Sequence, residues 1–314
     1  MCPPRVAILL ASCQGARYIR EQLDSLERQE QTNWRLIVSD DGSTDGTVGV
    51  VRDFAAAHPG RDVSVVEGPR RGATQNFLHL VGLVEKGEAL AYCDQDDVWR
   101  PDRLSRGIYA LAGTDARGTT SGPMLHASRT TICDLQMSPL RPAPLYTRPP
   151  GFLNALVQAC TPGNTTLVSP AGVELLQQAR AAAIAAGVVA HDWWTYQVIS
   201  GAGGNVIRDP ALTVLYRQHP GNVMGRNDTT RARFARLMQL GGGDFGAWLR
   251  ANGQALRTAG TVLTADNLDR LDRFRAALDA PGPVAALRLA SLGVYRQTRG
   301  GTAALLAAAA AGRL

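Results

Sequence analysis

The sequence has almost no lysine and few aromatic residues. Lys86 is the only lysine, so every other one of the 33 basic residues is arginine, and aromatic side chains make up 6% of the 314 residues. Arginine suits phosphate and carboxylate ligands, although its use in place of lysine is equally expected from genomic base composition. The net charge of +6 indicates a diffuse positive field, which favours an anionic substrate or an acidic membrane surface as partner.

Cysteine is sparse, and its spacing forms no recognisable framework. The cysteines are odd in number and widely spread, and none stands in a CxxC motif: Cys2, Cys13, Cys93, Cys133 and Cys160. This pattern disfavours both a disulfide framework and a zinc site. It is typical of a protein of the reducing cytoplasm.

Long hydrophobic runs are also lacking. The alanine-rich residues 303–311 stop far short of the ~20 apolar residues that a membrane-spanning helix needs. Residues 10–13, Leu-Ala-Ser-Cys, look like a lipoprotein cleavage site, but only Arg5 precedes them as a charge and the apolar stretch is short. We therefore predict a buried strand there, and any membrane contact would be peripheral.

The phosphate-binding loops of two enzyme classes are missing as well. Residues 12–16 lack the GxGxxG spacing of a dinucleotide oxidoreductase. No glycine-rich loop with a partnering lysine lies near the N-terminus, which disfavours a nucleotidyltransferase. The sequence therefore disfavours both of these enzyme classes.

What the sequence does contain is a regular alternation of apolar runs and amphipathic segments. Strands are predicted at residues 6–11, 35–38, 62–66 and 89–92, with helices between them, the second capped by Ser43 or Thr44. Strands separated by helices pair in parallel, and ligands bind at their carboxyl ends. The polar turns 12–15, 40–43 and 94–97 are therefore expected to converge on one crevice.

The turn after the fourth strand is densely acidic, with Asp94, Asp96 and Asp97 within four residues. Ionised carboxylates so close together repel one another and are costly near a core unless a cation compensates them. Mg²⁺ or Mn²⁺ is the simplest compensation, because hard ions prefer carboxylate oxygens. The alternative interpretation is a solvated acidic turn that caps the following helix.

Beyond residue 101 the pattern is less regular. A helix opens at Pro101, residues 124–127 and 130–133 are predicted as a β-hairpin, and five prolines predict a loop over 139–150. A strand at 165–168 precedes a helix capped by Ser169, and strands are predicted at 205–207 and 212–216. From about residue 226 the segments 231–240, 245–263, 268–278 and 284–314 are predicted as helices. We divide the chain into a catalytic region, 1–225, and a helical region, 226–314.

Seven motifs in order resemble the family 2 glycosyltransferases. After the strand that ends in SCQG, the chain carries SDDGSTDGT, GPRRGATQNF, YCDQDDVW, CTPGNTTL, HDWW and LYRQHPGN. The acidic motif and the last motif look most like a bacterial rhamnosyltransferase-like branch. The resemblance implies an α/β fold of the GT-A nucleotide-diphospho-sugar transferase type, Rossmann-like with a mostly parallel sheet flanked by helices, and the helical region as a C-terminal extension.

The resemblance also implies roles for residues on the donor side. Nucleotide-sugar binding falls to Ser12, Gln14, Asp40, Asp41, Arg71, Asn76, Asp94 and Arg217. Carboxylates accept hydrogen bonds from a base and a ribose, and an arginine fork suits a diphosphate. Asp96 and His219 are the expected ligands of Mn²⁺ or Mg²⁺. Helix capping for the two aspartates at 40 and 41, and a structural role for the histidine, are the alternatives.

On the acceptor side the resemblance implies Asp192 as the general base of an inverting reaction. Gly163 and Asn164 are expected to line this side, and Trp193 and Trp194 either stack on a sugar or fill the core. Asp192 is alternatively only a helix cap.

The predicted function is thus metal-dependent transfer of a sugar, rhamnose from a dTDP donor being the best guess, to a hydroxyl of a surface-polysaccharide or lipid-linked glycan. A UDP-sugar donor and a non-catalytic glycan-binding or nucleotide-binding scaffold remain alternatives. Nucleic acid is not an expected partner. The expected location is the cytoplasm, with peripheral contact to the inner face of the plasma membrane through the basic C-terminal helices.

Overall fold

A computed structural model describes residues 3–113, 122–219 and 244–314 of the chain. Its first half is a parallel sheet in which helices connect successive strands. The elements are β1 Val6–Ser12, α1 Ile19–Glu27, β2 Trp34–Asp40, α2 Thr47–Ala57, β3 Val63–Glu67, α3 Ala73–Val81 and β4 Ala89–Asp94. The strand order is β3-β2-β1-β4, all parallel, which confirms the predicted start of the fold.

The register places the polar strand ends at one edge of this sheet. Ser12 pairs with Asp40 on one side of β1, and Ala11 pairs with Asp94 on the other. The three predicted polar turns therefore follow three adjacent strands at the same level. Their convergence confirms the expectation from the sequence.

The second half adds strands of mixed direction to β4. Its elements are β5 Val98–Trp99, α4 Arg103–Ala112, β6 Met124–Cys133, β7 Pro139–Pro142, α5 Phe152–Ala155, β8 Thr166–Val168, α6 Pro170–Ala186, α7 His191–Gly201 and β9 Asn205–Arg217. The sheet continues β4-β8-β6-β9-β5, with β7 paired to β6. The strand β8 is antiparallel to both of its neighbours, whereas β6 and β9 run parallel.

Three details of this half differ from the sequence predictions. The hairpin predicted at 124–133 is wrong, because Ser128 Oγ lies 2.5 Å from Thr213 Oγ1 and the segment continues as one strand along β9. The two strands predicted within 205–216 are likewise one strand, whose Asp209-Pro210 region is accommodated by a register shift. The proline-rich loop contains β7, since an edge strand tolerates proline at its ends.

The α2 N-terminus also differs from its prediction. Thr47 begins the helix after Gly46, whose φ of +93° is strained for other residues. The Asp45 carboxylate, rather than Ser43 or Thr44, accepts the Thr47 backbone N–H at 3.1 Å. The predicted Ser169 cap of α6 is confirmed, because its Oγ accepts the Gly172 N–H at 3.3 Å.

The C-terminal part is helical, as predicted. It comprises α8 Asp244–Thr258, α9 Ala265–Leu278, α10 Gly282–Leu292 and α11 Arg299–Ala310. One helix over 284–314 is wrong, because Gly293 ends α10 in a left-handed conformation with φ of +81°. The helix predicted at 231–240 and the boundary at 225/226 lie outside the described residues.

Two hydrophobic clusters cover the two faces of the sheet. One contains side chains of α1, α2 and α4, and the other contains side chains of α3, α6, α7 and of the described helices α8 to α11. The C-terminal helices therefore share a core with the α/β region. Among the described residues, no helix is both long and apolar enough to cross a membrane.

Candidate active site

The acidic turn between β4 and β5 meets the end of β9. Val98 pairs with Leu215, which brings the residues after β9 beside the turn. As a result, Asp96 Oδ2 lies 2.6 Å from His219 Nε2. The two predicted metal ligands, 123 positions apart in the chain, are thus in direct contact.

Asp97 is the buried member of the acidic turn. Its carboxylate accepts from Asn164 Nδ2 at 2.6 Å and from the Arg217 backbone N–H at 3.3 Å. Burial raises the pKa of Asp97 well above its ordinary value, and the charges of Asp96 and Asp94 raise it further. Asp97 therefore ties β9 and the segment before β8 to the turn.

Asp94 lies between two other acids. The protein raises its pKa to about 7, first because burial disfavours the charged carboxylate and then because Asp96 and Asp192 add negative charge. Asp192 stands in the first turn of α7 and accepts from Gly163 N at 3.1 Å and from Trp193 N at 2.7 Å. The structure thus brings Asp94, Asp96, Asp192, Gly163 and Asn164 together around one centre.

A buried arginine is hydrogen-bonded to the backbone around this centre. Arg103, on α4, is only 2% exposed, and its guanidinium donates to the backbone carbonyls of Asn164, Tyr92 and Thr166. Its guanidinium carbon lies 3.5 Å from the Trp99 ring centroid. Burial lowers the pKa of Arg103 to about 9, although Asp97 and Asp94 act in the opposite direction.

Asp40 and Asp41 organise the loops on the predicted donor side. Asp40 accepts from Ser12 Oγ at 2.9 Å and from Ser43 Oγ at 2.6 Å, and Asp41 accepts from the backbone N–H groups of Arg70 and Gly72. Burial alone would raise the pKa of Asp40, but its hydrogen bonds lower it overall. The two side chains therefore connect the turn at 40–43 to Ser12 and to the loop at residues 70–72.

Other predicted donor-side residues lie in the same loops. The Gln14 amide exchanges hydrogen bonds with Thr44, and the buried Asn76 donates to Ser39 O at 2.8 Å. Among the described residues, the buried Asn76 Oδ1 atom has no hydrogen-bond partner. Arg71 is exposed beside this loop.

Arg217 is 2% exposed, and within the described part of the chain its guanidinium donates to acceptors on three residues. It donates to Asp96 O at 3.0 Å, Leu135 O at 2.6 Å and Glu21 Oε2 at 2.7 Å. In this conformation Arg217 holds the acidic turn, so its role as a phosphate fork stays a prediction.

The two tryptophans of the HDWW motif fill the core. Trp193 and Trp194 are 4% and 1% exposed, and Trp193 Nε1 donates to Ala155 O at 2.6 Å. Trp193 also stacks on Phe245 of α8. Of the two alternatives left open by the sequence, the structure shows core packing, because neither ring face is open to a sugar.

The residues present fit a divalent cation. Within the described ranges, no group of three or more His, Cys, Asp and Glu side chains forms a metal cluster. The Asp96–His219 pair nevertheless offers one oxygen and one nitrogen ligand beside an excess of carboxylates. Two protein ligands are enough for an ion that completes its coordination with water and substrate phosphates.

Sequence reasoning missed two contact residues of this site. Gln95 spans the loops, since its side-chain amide accepts from Cys13 N and donates to Cys13 O, both at 3.0 Å. Tyr18 stacks on His219. Only the position of Gln95 between two acids of the cluster was a signal in the sequence, and Tyr18 carried none.

Comparisons with known proteins agree with this arrangement. The model of the family "Glycosyl transferase family 2" matches residues 7–167. The dTDP-rhamnosyl transferase RfbG of Shigella flexneri is 26% identical over 239 residues, which cover 73% of this chain and 78% of that protein.

Two solved structures share the fold. The mannosyltransferase PcManGT from Pyrobaculum calidifontis, solved in complex with GDP-Man and Mn²⁺, has a TM-score of 0.50 at 22% identity and matches 99% of this chain and 88% of that chain. TarS 1-349 of S. aureus, in complex with UDP-GlcNAc, has a TM-score of 0.55 at 14% identity and matches 92% and 80%. The predicted GT-A type of fold is thereby confirmed. On its family match, the chain belongs to glycosyl transferase family 2.

Proposed function

We propose that the protein is an inverting, metal-dependent glycosyltransferase that moves a hexose from a nucleoside-diphosphate donor to a hydroxyl acceptor. The observation that carries this proposal is the contact between Asp96 and His219 beside Asp94 and Asp192. The loops around Asp40 and Asp41 then form the nucleotide side of the crevice. Gly163 and Asn164 line the side of Asp192.

Asp192 is the general base in this proposal. Two backbone N–H groups, of Gly163 and Trp193, hold its carboxylate in the first turn of α7. It takes the proton of the acceptor hydroxyl while that oxygen attacks the anomeric carbon. The bond from this carbon to the diphosphate oxygen breaks on the opposite face, which inverts the configuration.

Asp96 and His219 would hold the divalent cation, Mn²⁺ or Mg²⁺. When bound, the ion supplies Lewis-acid neutralisation of the leaving diphosphate. Asp94 would accept a hydrogen bond from the ribose or from a water bound to the ion. Arg217, bonded to the Asp96 carbonyl, holds the acidic turn in place.

The finer identity of the substrates rests on similarity. Resemblance to the dTDP-rhamnosyl transferase RfbG supports a dTDP-rhamnose donor, with a UDP-sugar as the alternative. We expect the acceptor to be a surface-polysaccharide or lipid-linked glycan. A cytoplasmic location and contact of the basic C-terminal helices with the membrane surface stay predictions from the sequence.

Nucleotide binding tests the donor site. We expect dTDP or UDP to raise the melting temperature more with Mn²⁺ than without it, since a ligand at 100 times its Kd stabilises the native state by about 2.7 kcal/mol. The metal-dependent part is lost in Asp96→Ala and kept in Asp53→Asn, an exposed acid on α2. Stabilisation by neither nucleotide would contradict the proposal, and the nucleotide that stabilises identifies the base.

Turnover tests the base. With dTDP-rhamnose or a UDP-sugar, Asp192→Asn is expected to lower kcat by roughly 10²–10⁴ while donor affinity is unchanged, because the amide cannot accept the proton. Asp53→Asn again serves as the control. An unchanged kcat in Asp192→Asn would show that another residue is the general base.

A further inference from the structure

Tyr18 packs against both residues that connect β9 to Asp96. It directly precedes α1, and its ring stacks on the His219 imidazole with centroids 4.9 Å apart and planes inclined by 23°. The Arg217 guanidinium carbon lies 4.9 Å from the centroid of the same ring. One aromatic side chain therefore contacts both the residue that touches the Asp96 carboxylate and the residue that touches the Asp96 carbonyl.

The position of Tyr18 is fixed by its own backbone and by the next turn of α1. Tyr18 N donates to Gly15 O at 2.9 Å, and Gly15 N donates to Thr47 Oγ1 at 2.8 Å. Three residues beyond Tyr18, Glu21 accepts from Arg217 at 2.7 Å. These hydrogen bonds therefore fix the backbone that carries the ring at the start of α1.

Such a ring matters because imidazole ligands depend on their surroundings for orientation. The side chain of His219 rotates about two torsions, and only some orientations present Nε2 to a cation shared with Asp96. Groups packed around a ligand commonly change metal affinity by ~10–100-fold when they are altered. The face of the same ring also attracts the Arg217 guanidinium, a cation–π contact.

We propose that Tyr18 is a positioning residue, whose ring holds His219 and Arg217 in the orientation that lets Asp96 and His219 bind one divalent cation. The inference rests on the proposed function, since it takes Asp96 and His219 as metal ligands. Tyr18 acts through these neighbours. Its hydroxyl is not required, because the contacts involve the ring.

The test measures binding of Mn²⁺ alone, without donor, from the EPR signal of the free ion. Tyr18→Phe keeps the ring, so its Mn²⁺ affinity is expected within ~2-fold of wild type, whereas Tyr18→Ala is expected to bind ~10-fold more weakly. Tyr109→Ala is the matched control, because Tyr109 is 84% exposed on α4. Its affinity should equal that of wild type.

Thermal unfolding of each variant shows whether it is folded. If Tyr18→Ala is not, Tyr18→Leu provides the same comparison, since it keeps apolar bulk without an aromatic face. Wild-type affinity in the folded Ala or Leu variant would overturn the inference. So would a weakening in Tyr18→Phe as large as in Tyr18→Ala.

Asp96→Ala separates this result from failure of the proposed function. If wild type binds no Mn²⁺, or if Asp96→Ala binds it like wild type, the proposed metal site is wrong and the inference falls with it. If Asp96→Ala loses Mn²⁺ and Tyr18→Ala retains it, only the role of Tyr18 is overturned.

Discussion

At the scale of single residues, the positive charge of the buried Arg103 offsets part of the negative charge of Asp94 and Asp97. Arg103 donates to three carbonyls from the strands and loops that carry Asp94 and Asn164. A planar fork with five donors can reach several acceptors at once, which a lysine ammonium cannot do in the same way. The packing of Arg103 on Trp99 adds a second constraint on its orientation.

Gly15 leaves room for the contact between the donor-side loop and the acidic turn. A Cβ atom at this position would lie 2.1 Å from Gln95 Oε1, so Gly15→Ala must displace the side chain that clamps Cys13. We expect nucleotide affinity to fall by about 10-fold, equivalent to the loss of a net hydrogen bond or two. Calorimetric titration with dTDP and UDP measures it.

The matched control for this change is Gly49→Ala, on the exposed side of α2, where an added Cβ meets nothing within 4 Å. Its nucleotide affinity should be that of wild type. Equal affinities of the two variants would show that the Gln95 clamp does not contribute to the nucleotide site.

His191 makes the stability of the fold depend on pH. Its ring stacks on Phe77 at 3.9 Å, and burial lowers the pKa of His191 to about 4 although Asp192 opposes the shift. Because the unfolded chain takes up this proton near pH 6.5, stability is lost as pH falls from about 6.5 to about 4. We expect His191→Gln to remove on the order of 1–2 kcal/mol of the loss between pH 7 and pH 5.

Urea unfolding at the two pH values measures this difference. His79→Gln, on α3, is the control histidine. A pH dependence that is the same in His191→Gln and wild type would contradict the assignment.

At the scale of elements, β4 joins two kinds of pairing. It is parallel to β1 and antiparallel to β8, and α6 follows β8 directly. Ser169 fixes this junction, because its Oγ accepts from Met124 N at 2.9 Å, accepts the Gly172 N–H and donates to Gly122 O at 3.1 Å. One hydroxyl thus links the start of α6 to the start of β6.

Ser169→Ala should cost more than an ordinary helix cap. The loss of the cap costs about 1 kcal/mol, and the buried Met124 N–H left without a partner adds about 1–3 kcal/mol. Thr298→Ala, which removes the exposed cap of α11, should cost only the first amount. Free energies of unfolding in urea compare the two, and similar values would show that the Met124 contact does not matter.

The sequence was informative where structure is local. The strands β1 to β4, their parallel pairing and the Ser169 cap follow from short-range patterns, and so does the acidic turn. The continuity of β6 depends instead on β9, some 80 residues away, whose ladder overrides the weak turn signal at Ser128. The burial of Trp193 depends in the same way on α8, which no pattern within the HDWW motif could reveal.

At the scale of the whole molecule, the C-terminal helices complete a core rather than form a separate one. Asn267 of α9 donates to the backbone carbonyls of Ser200 and Gly201 at the end of α7. Gly201 is also close-packed, since a Cβ there would lie 2.5 Å from a Leu263 methyl group. The helix that carries Asp192 is therefore held at its far end by the C-terminal region.

Phe274→Ala tests this unity. Phe274, on α9, is 1% exposed, and its removal is expected to cost about 3–5 kcal/mol. Because the core is shared, we expect the variant to unfold in one transition, at a lower melting temperature, when unfolding is followed by far-UV ellipticity. A bound nucleotide should raise the melting temperature of this same transition. Leu287→Ala, on α10 and 71% exposed, should change little. Two separate transitions would contradict a shared core.

The separation of Asp96 and His219 along the chain has a consequence for biosynthesis. The loops around Asp40 and Asp41 belong to a parallel unit complete by residue 94, so they leave the ribosome early. His219, which contacts the acidic turn, is synthesised 123 residues after Asp96. Long-range pairing of this kind slows folding, and larger chains pass through populated intermediates. Under the proposed assignment, the residues of the nucleotide side are thus synthesised well before the pair of metal ligands is complete.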